Sequence, residues 1–138
     1  MCIRDSLKGA FIVVSDLAKQ LELDVTFDFM SIKSYYGSES SGQVKIVKDL
    51  EYDITNKNVL IVEDIYDTGL TLKNLKKLLE ARNPKNIEIF CMFVKKEVAQ
   101  DPIEINYSGF EIGPEFVVGY GLDYNGKYRE LPYLGVLS

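Results

Sequence analysis

Histidine and tryptophan are absent from this chain, and its two cysteines, Cys2 and Cys91, stand far apart with no CxxC pair. Without histidine there is no Ser-His or Cys-His nucleophile pair, so carboxylates, lysines and tyrosines are the catalytic groups left. Neither a disulfide framework nor a zinc site is suggested, and the expected compartment is the reducing cytosol. Long apolar runs are missing too. Residues 59–62 and 89–94 are among the longest, far below the roughly 20 needed to span a membrane, and no signal-peptide stretch opens the sequence. A basic stripe is also lacking. The net charge is -5, from 16 basic and 21 acidic residues mixed along the chain, which argues against nucleic acid as a partner.

What is present is 138 residues with 46% hydrophobic content, enough for one compact domain with a core of its own. No internal repeat is found. Residues 9–22 place Phe11, Val14, Leu17, Ala18 and Leu21 at helical spacing after Gly9. Residues 24–29 alternate polar and apolar, the period of a half-buried strand toward one edge of a sheet. A small, polar loop follows at 37–42, between strand-like stretches ending at Ile32 and beginning near Val44. Residues 59–62, Val-Leu-Ile-Val, fit a central parallel strand buried on both faces. The helix after it has a stripe of Leu72, Leu75, Leu78 and Leu79 and should stop near Asn83, ahead of Pro84. Further strands are expected at 87–94, 116–119 and 133–136. Strands alternating with helices across short connections predict an α/β domain with a mainly parallel sheet flanked by helices.

In such sheets ligands bind beyond the carboxyl ends of the strands, and Glu63, Asp64, Ile65, Tyr66, Asp67, Thr68, Gly69, Leu70 and Thr71 fall there. Gly69 lets the backbone approach an anion, while the Thr68 and Thr71 hydroxyls and the free N–H groups of a helix start can donate to a phosphate monoester. The GxxxxGK[ST] pattern of a triphosphate loop is absent. Three carboxylates beside a phosphate need other partners, and ribose hydroxyls or magnesium suit hard oxygen ligands. The plainer alternative is that Asp67 caps the helix and Glu63 and Asp64 are solvated.

A hydrophobic run, two acids, two variable positions, then Asp-Thr-Gly and a Thr make up residues 59–71, and this resembles the signature of the phosphoribosyltransferase family. Flanking segments resemble its hypoxanthine-guanine branch: Leu7-Lys8-Gly9, Ser34-Tyr35, Val94-Lys95-Lys96, the Phe-Val-Val-Gly of 116–119, Leu122-Asp123 and Tyr128-Arg129. The resemblance runs from Leu7 to the end. It implies the type I phosphoribosyltransferase fold, with Glu63 and Asp64 at ribose and magnesium, Asp67 beside purine N7, and residues 67–71 as the 5'-phosphate loop. It further implies Lys95 at the purine O6, Phe116 stacked on the base with the Val117 backbone at its edge, and Asp123 at magnesium. Arg129, Lys8 and Gly9 would meet the pyrophosphate, with a cis peptide usual at Lys8–Gly9, and Ser34 and Tyr35 would close a mobile flap at 33–43.

Plainer alternatives stand beside these roles. Lys95 alone would read as a solvated charge, Phe116 as core, Asp123 with Arg129 as a surface ion pair, residues 33–43 as an ordinary loop, and Asp67 as positioning the base without taking its proton. Relatives carry a few tens of residues, including a helix and a central strand, ahead of Leu-Lys-Gly. Residues 1–6 do not read as a buried strand, so the expectation is an N-terminally truncated or misassembled chain lacking that helix and strand.

The expected activity is purine salvage: transfer of 5-phosphoribosyl from 5-phosphoribosyl 1-pyrophosphate to N9 of hypoxanthine or guanine, with Mg2+, in a cytoplasmic homodimer or homotetramer. The rival from another class is a non-catalytic regulator that senses the phosphorylated ribose, and a third possibility is an inactive fragment.

Overall fold

A computed structural model describes residues 2–6, 8–34, 44–95, 97 and 102–138, with the side chains of 2–6 and 34 left aside. The flap expected at 33–43 therefore lies outside the described residues beyond Ser34, as do Leu7 and Lys96. The organising strand is β4 (Asn58–Tyr66). Its apolar run alternates between two layers, as strand geometry requires. Val59 and Ile61 pack with Leu72, Leu75 and Leu79 of helix α2 (Leu70–Glu80) on one face. Leu60 and Val62 pack with Val13 and Val14 of helix α1 (Phe11–Gln20) on the other. Full burial of each such side chain contributes about 1.5–3 kcal/mol, so both helices are held by the apolar stripe that faces the sheet.

The remaining strands are β1 (Cys2–Ser6), β2 (Thr26–Ser34), β3 (Val44–Lys48), β5 (Asn86–Val94) and β6 (Tyr107–Glu111). They form one six-stranded sheet in the order β3-β2-β1-β4-β5-β6. All neighbours are parallel except the edge strand β3, which runs antiparallel to β2. The mainly parallel α/β sheet is thus as expected. A separate antiparallel ribbon, β7 (Val117–Val118) with β8 (Gly135–Val136), sits off the sheet.

Four expectations need correction. Although residues 1–6 do not read as a strand, Cys2–Ser6 do form one in place: Ile3 is opposite Phe27 on one side and Leu60 on the other. The ladder is made by backbone N–H and C=O groups, which every non-proline residue carries, so a slot between two strand edges can be filled by a segment with no strand-like side-chain pattern. The strand expected at 133–136 shrinks to Gly135–Val136 and pairs only with β7. Helix α2 ends at Glu80, and Asn83 takes a left-handed conformation (φ 54°) that turns the chain toward β5. The described residues contain no cis peptide bond, so Lys8–Gly9 is not in the isomer the resemblance implied.

Strand order reverses direction between β1 and β4, with α1 and β2 leading one way and α2 and β5 the other. Ligands bind at such a switch point, outside the carboxyl ends of the strands. Residues 8–9 follow β1 there, residues 67–71 follow β4, and Lys95 follows β5.

Candidate functional site

A cleft of about 700 Å³ opens at this switch point, lined among others by Lys8, Gly9, Asp64, Asp67, Lys95 and Arg129. Phe116, Val117 and Asp123 also line it. A smaller pocket of about 110 Å³ adjoins it, formed by Glu63, Asp67, Thr68, Gly69 and Thr71 with their apolar neighbours. Gly69 caps α2 in the left-handed region (φ 83°), and no side chain caps the helix, so Asp67 is not a helix cap. Leu70 and Thr71 lie in the first turn, where backbone N–H groups have no intrahelical acceptor. The result is a pocket whose main-chain N–H groups and threonine hydroxyls can donate to an anion.

Strand alternation separates the paired acids. Glu63 is buried and lines the anion pocket, whereas Asp64 lines the larger cleft. Asp64 Oδ1 accepts the Ile65 N–H at 2.8 Å, and a Cβ placed on Gly9 would collide with Asp64 Oδ2. Burial pushes the Asp64 carboxyl above the usual range and the nearby Asp123 charge adds to that, while the Ile65 amide and Arg129 pull it back. The same burial, with the Glu63 and Asp64 charges, drives the Cys91 thiol far upward, so Cys91 is a packing residue and not a nucleophile.

Opposite Asp64, Arg129 gathers three partners. Its guanidinium meets Asp123 Oδ1 at 3.1 Å, donates to the Gly121 carbonyl at 2.7 Å and donates to the Lys8 carbonyl at 3.2 Å. Asp123 also accepts the Gly126 N–H at 2.9 Å. The Asp123–Arg129 pair is therefore a clamp on the Lys8–Gly9 loop, not an isolated surface pair. A Cβ on Gly121 would strike the Gly9 carbonyl oxygen, so a glycine at 121 is needed for the two loops to meet.

At the cleft's far side Lys95 is buried, 6% exposed, with its ammonium 3.9 Å from Asp67 Oδ2. It is not the solvated charge that sequence alone would favour. Phe116 is 54% exposed and edge-on to Tyr124 at 5.9 Å, so it is not core, while Val117 behind it is buried. Ser34 is the last residue of β2, and Tyr35 lies outside the described residues.

Glu63, Asp64 and Asp123 are not drawn into one centre: no group of three acids able to hold a metal exists among the described residues. Asp64 and Asp123 face the same cleft, and two hard carboxylates suit a magnesium ion that keeps waters and substrate oxygens as its other ligands. Residues not anticipated from the sequence include Ser31 and Ile32 of β2 and Val47 and Lys48 of β3, which line the cleft. Their types are ordinary for strands, so only the sheet order could have singled them out.

A parallel sheet with an anion loop on each side of its switch point is the architecture of a phosphoribosyl-binding domain, and the family model described as "Phosphoribosyl transferase domain" matches residues 6–125. The hypoxanthine-guanine phosphoribosyltransferase of Staphylococcus aureus (strain Mu50) is 48% identical over 133 residues, 96% of this chain and 74% of that protein. A crystal structure of the hypoxanthine phosphoribosyltransferase from Staphylococcus aureus superposes with a TM-score of 0.93 at 46% identity, covering 99% of this chain and 74% of that one. The Trypanosoma cruzi enzyme in complex with the product IMP superposes with a TM-score of 0.92 at 38% identity, covering 99% and 74%. The chain belongs to the phosphoribosyltransferase family, in its hypoxanthine-guanine branch.

Proposed function

We propose that this chain transfers the 5-phosphoribosyl group of 5-phosphoribosyl 1-pyrophosphate to N9 of hypoxanthine or guanine, releasing pyrophosphate and forming IMP or GMP. The observation that carries this reading is the buried Lys95 beside Asp67, with the open ring of Phe116 on the same cleft. A 6-oxopurine carries O6 and N7 as neighbours on one edge, so a donor next to an acceptor matches that edge, and an exposed aromatic face takes the ring by stacking. Val117 offers main chain to the base's other edge.

The C1'–N9 bond forms as the C1'–oxygen bond to pyrophosphate breaks, and the proton on N7 passes to Asp67. Asp67, Thr68, Gly69, Leu70 and Thr71 hold the 5'-phosphate, and Glu63 at that pocket accepts from ribose hydroxyls. Lys8, Gly9 and Arg129 receive the pyrophosphate, where the guanidinium fork pairs with phosphate oxygens. Asp64 and Asp123 would hold magnesium, which would supply positive charge to the departing group. The active form is a cytoplasmic homodimer or homotetramer, which sedimentation would measure.

The test is conversion of hypoxanthine and of guanine by the purified chain with donor and magnesium, beside Asp67→Asn. Turnover that the substitution lowers by about 10²-fold or more supports the reading. A folded, donor-binding chain with no turnover would replace it with a sensor of the phosphorylated ribose.

A further inference from the structure

Three successive residues, Gly119 (φ 96°), Tyr120 (φ 49°) and Gly121 (φ 98°), lie in the left-handed region. Glycine accepts this freely, but a residue with a Cβ is strained there and persists only where its surroundings hold it. Tyr120 is held from three directions. Its N–H donates to the Leu131 carbonyl at 2.8 Å, its ring meets Phe93 edge-on at 6.2 Å, and its hydroxyl donates to Asp16 Oδ2 at 2.5 Å. Asp16 belongs to α1, the helix that starts directly after the Lys8–Gly9 loop.

The stretch 119–129 and the segment 8–20, made of the Lys8–Gly9 loop and helix α1, come from distant parts of the chain and are joined at three points. Gly121 packs on Gly9, Arg129 bridges the Gly121 and Lys8 carbonyls, and Tyr120 bonds Asp16. The first two contacts lie in the cleft where charge must be received. Neither Tyr120 nor Asp16 lines that cleft, yet theirs is the bond that ties the turn to the body of α1. The bond bears on both partners: the Tyr120 hydroxyl lowers the Asp16 carboxyl ahead of Lys19, and burial first, then the Asp16 bond, raises Tyr120 to about 12.

We propose that the Tyr120–Asp16 hydrogen bond is a clasp that sets the Lys8–Gly9 loop against Arg129 and Asp123, making Tyr120 and Asp16 positioning residues for the pyrophosphate end of the donor. The assignment of that end to the donor rests on the reading given under Proposed function. The clasp explains a non-glycine residue in the strained turn: an aromatic ring with a terminal hydroxyl both packs on Phe93 and reaches α1.

The test uses the full chain with Tyr120→Phe, Asp16→Ala, Asp16→Asn and the double variant Tyr120→Phe/Asp16→Ala. Amide hydrogen exchange over 8–10 and 119–123 is followed without ligand, and KM is measured for donor and purine separately. The clasp predicts exchange about fivefold to tenfold faster in both segments and a donor KM raised about fivefold to tenfold, with the purine KM within about twofold. The double variant should match the worse single, and Asp16→Asn, which keeps an acceptor, should recover most of the loss. Unchanged exchange, parallel rises in both KM values, or single effects that multiply in the double variant would each overturn the proposal. Should exchange respond while the unaltered chain shows no donor-dependent turnover, the transfer reading fails and the coupling of the two loops stands.

Discussion

Lys95→Met separates a functional cation from a structural one, because the two roles predict opposite changes. The Lys95 side chain is 7% exposed and its ammonium lies 3.9 Å from an Asp67 carboxylate that is 51% exposed. An ion pair with one partner so open to water is screened and contributes at most about 1 kcal/mol, whereas keeping an ammonium out of water costs several kcal/mol. Methionine retains the length of the stem and packs against the same neighbours. Stability should therefore hold or rise by about 1 kcal/mol, a melting temperature unchanged or up by about 4 °C in a domain of this size. Activity should move the other way. Loss of a charged donor to O6 removes about 1.5–3 kcal/mol from the transition state, a fall of about 10- to 150-fold in kcat/KM for hypoxanthine. Rates with adenine, which offers no O6, should change little, so discrimination narrows. Differential scanning calorimetry and initial rates with both bases give the answer. A melting temperature several degrees lower with kcat/KM preserved would make Lys95 a structural partner of Asp67 and refute its role in base selection.

Gly9→Ala drives a Cβ into the Asp64 carboxylate, which is half-buried and held by the Ile65 amide; overpacking of about 1–3 kcal/mol should lower the melting temperature by about 4–12 °C and raise the donor KM. Buried Asp28 accepts the N–H groups of Phe29, Glu51 and Tyr52 at 2.8, 2.9 and 3.0 Å, so Asp28→Ala should cost about 3 kcal/mol in urea unfolding by stranding those donors. Tyr120 has a free-chain value of 10.0 and is raised to about 12 by burial and by its bond to Asp16. Its folded value lies above its unfolded one, so the stabilisation is complete below about pH 10 and is lost as pH rises toward about 12. Ultraviolet titration of the native chain should therefore show a late-ionising tyrosine that Tyr120→Phe removes.

The elements that were legible are those whose burial is written in local periodicity. Residues 59–62 form an unbroken apolar run, the leucines of 72–79 keep helical spacing, and both landed in the core as read. Strand β6 was missed because all five of its residues remain exposed and no alternation betrays it. Strand β1 was misjudged because the sheet accepted it through backbone bonds, which carry no side-chain signature. In the site, the loop at 63–71 was legible because acids, a glycine and hydroxyls stand together where a parallel strand must end. Lys95 was not, because a lysine after a strand reads as solvated until β4 and β5 are aligned and bring it beside Asp67.

By itself the sequence determined the class of sheet, the two helices and the chemistry of the residues available, since hydrophobic spacing and side-chain type are local properties. The tertiary structure alone decided which of those residues share a cleft. Lys8, Asp64, Lys95 and Arg129 are distant along the chain, and they meet because the order β3-β2-β1-β4-β5-β6 puts their strand ends and the turn at 119–122 around one switch point. Proximity of that kind comes from the summed packing of both layers, which no single segment encodes.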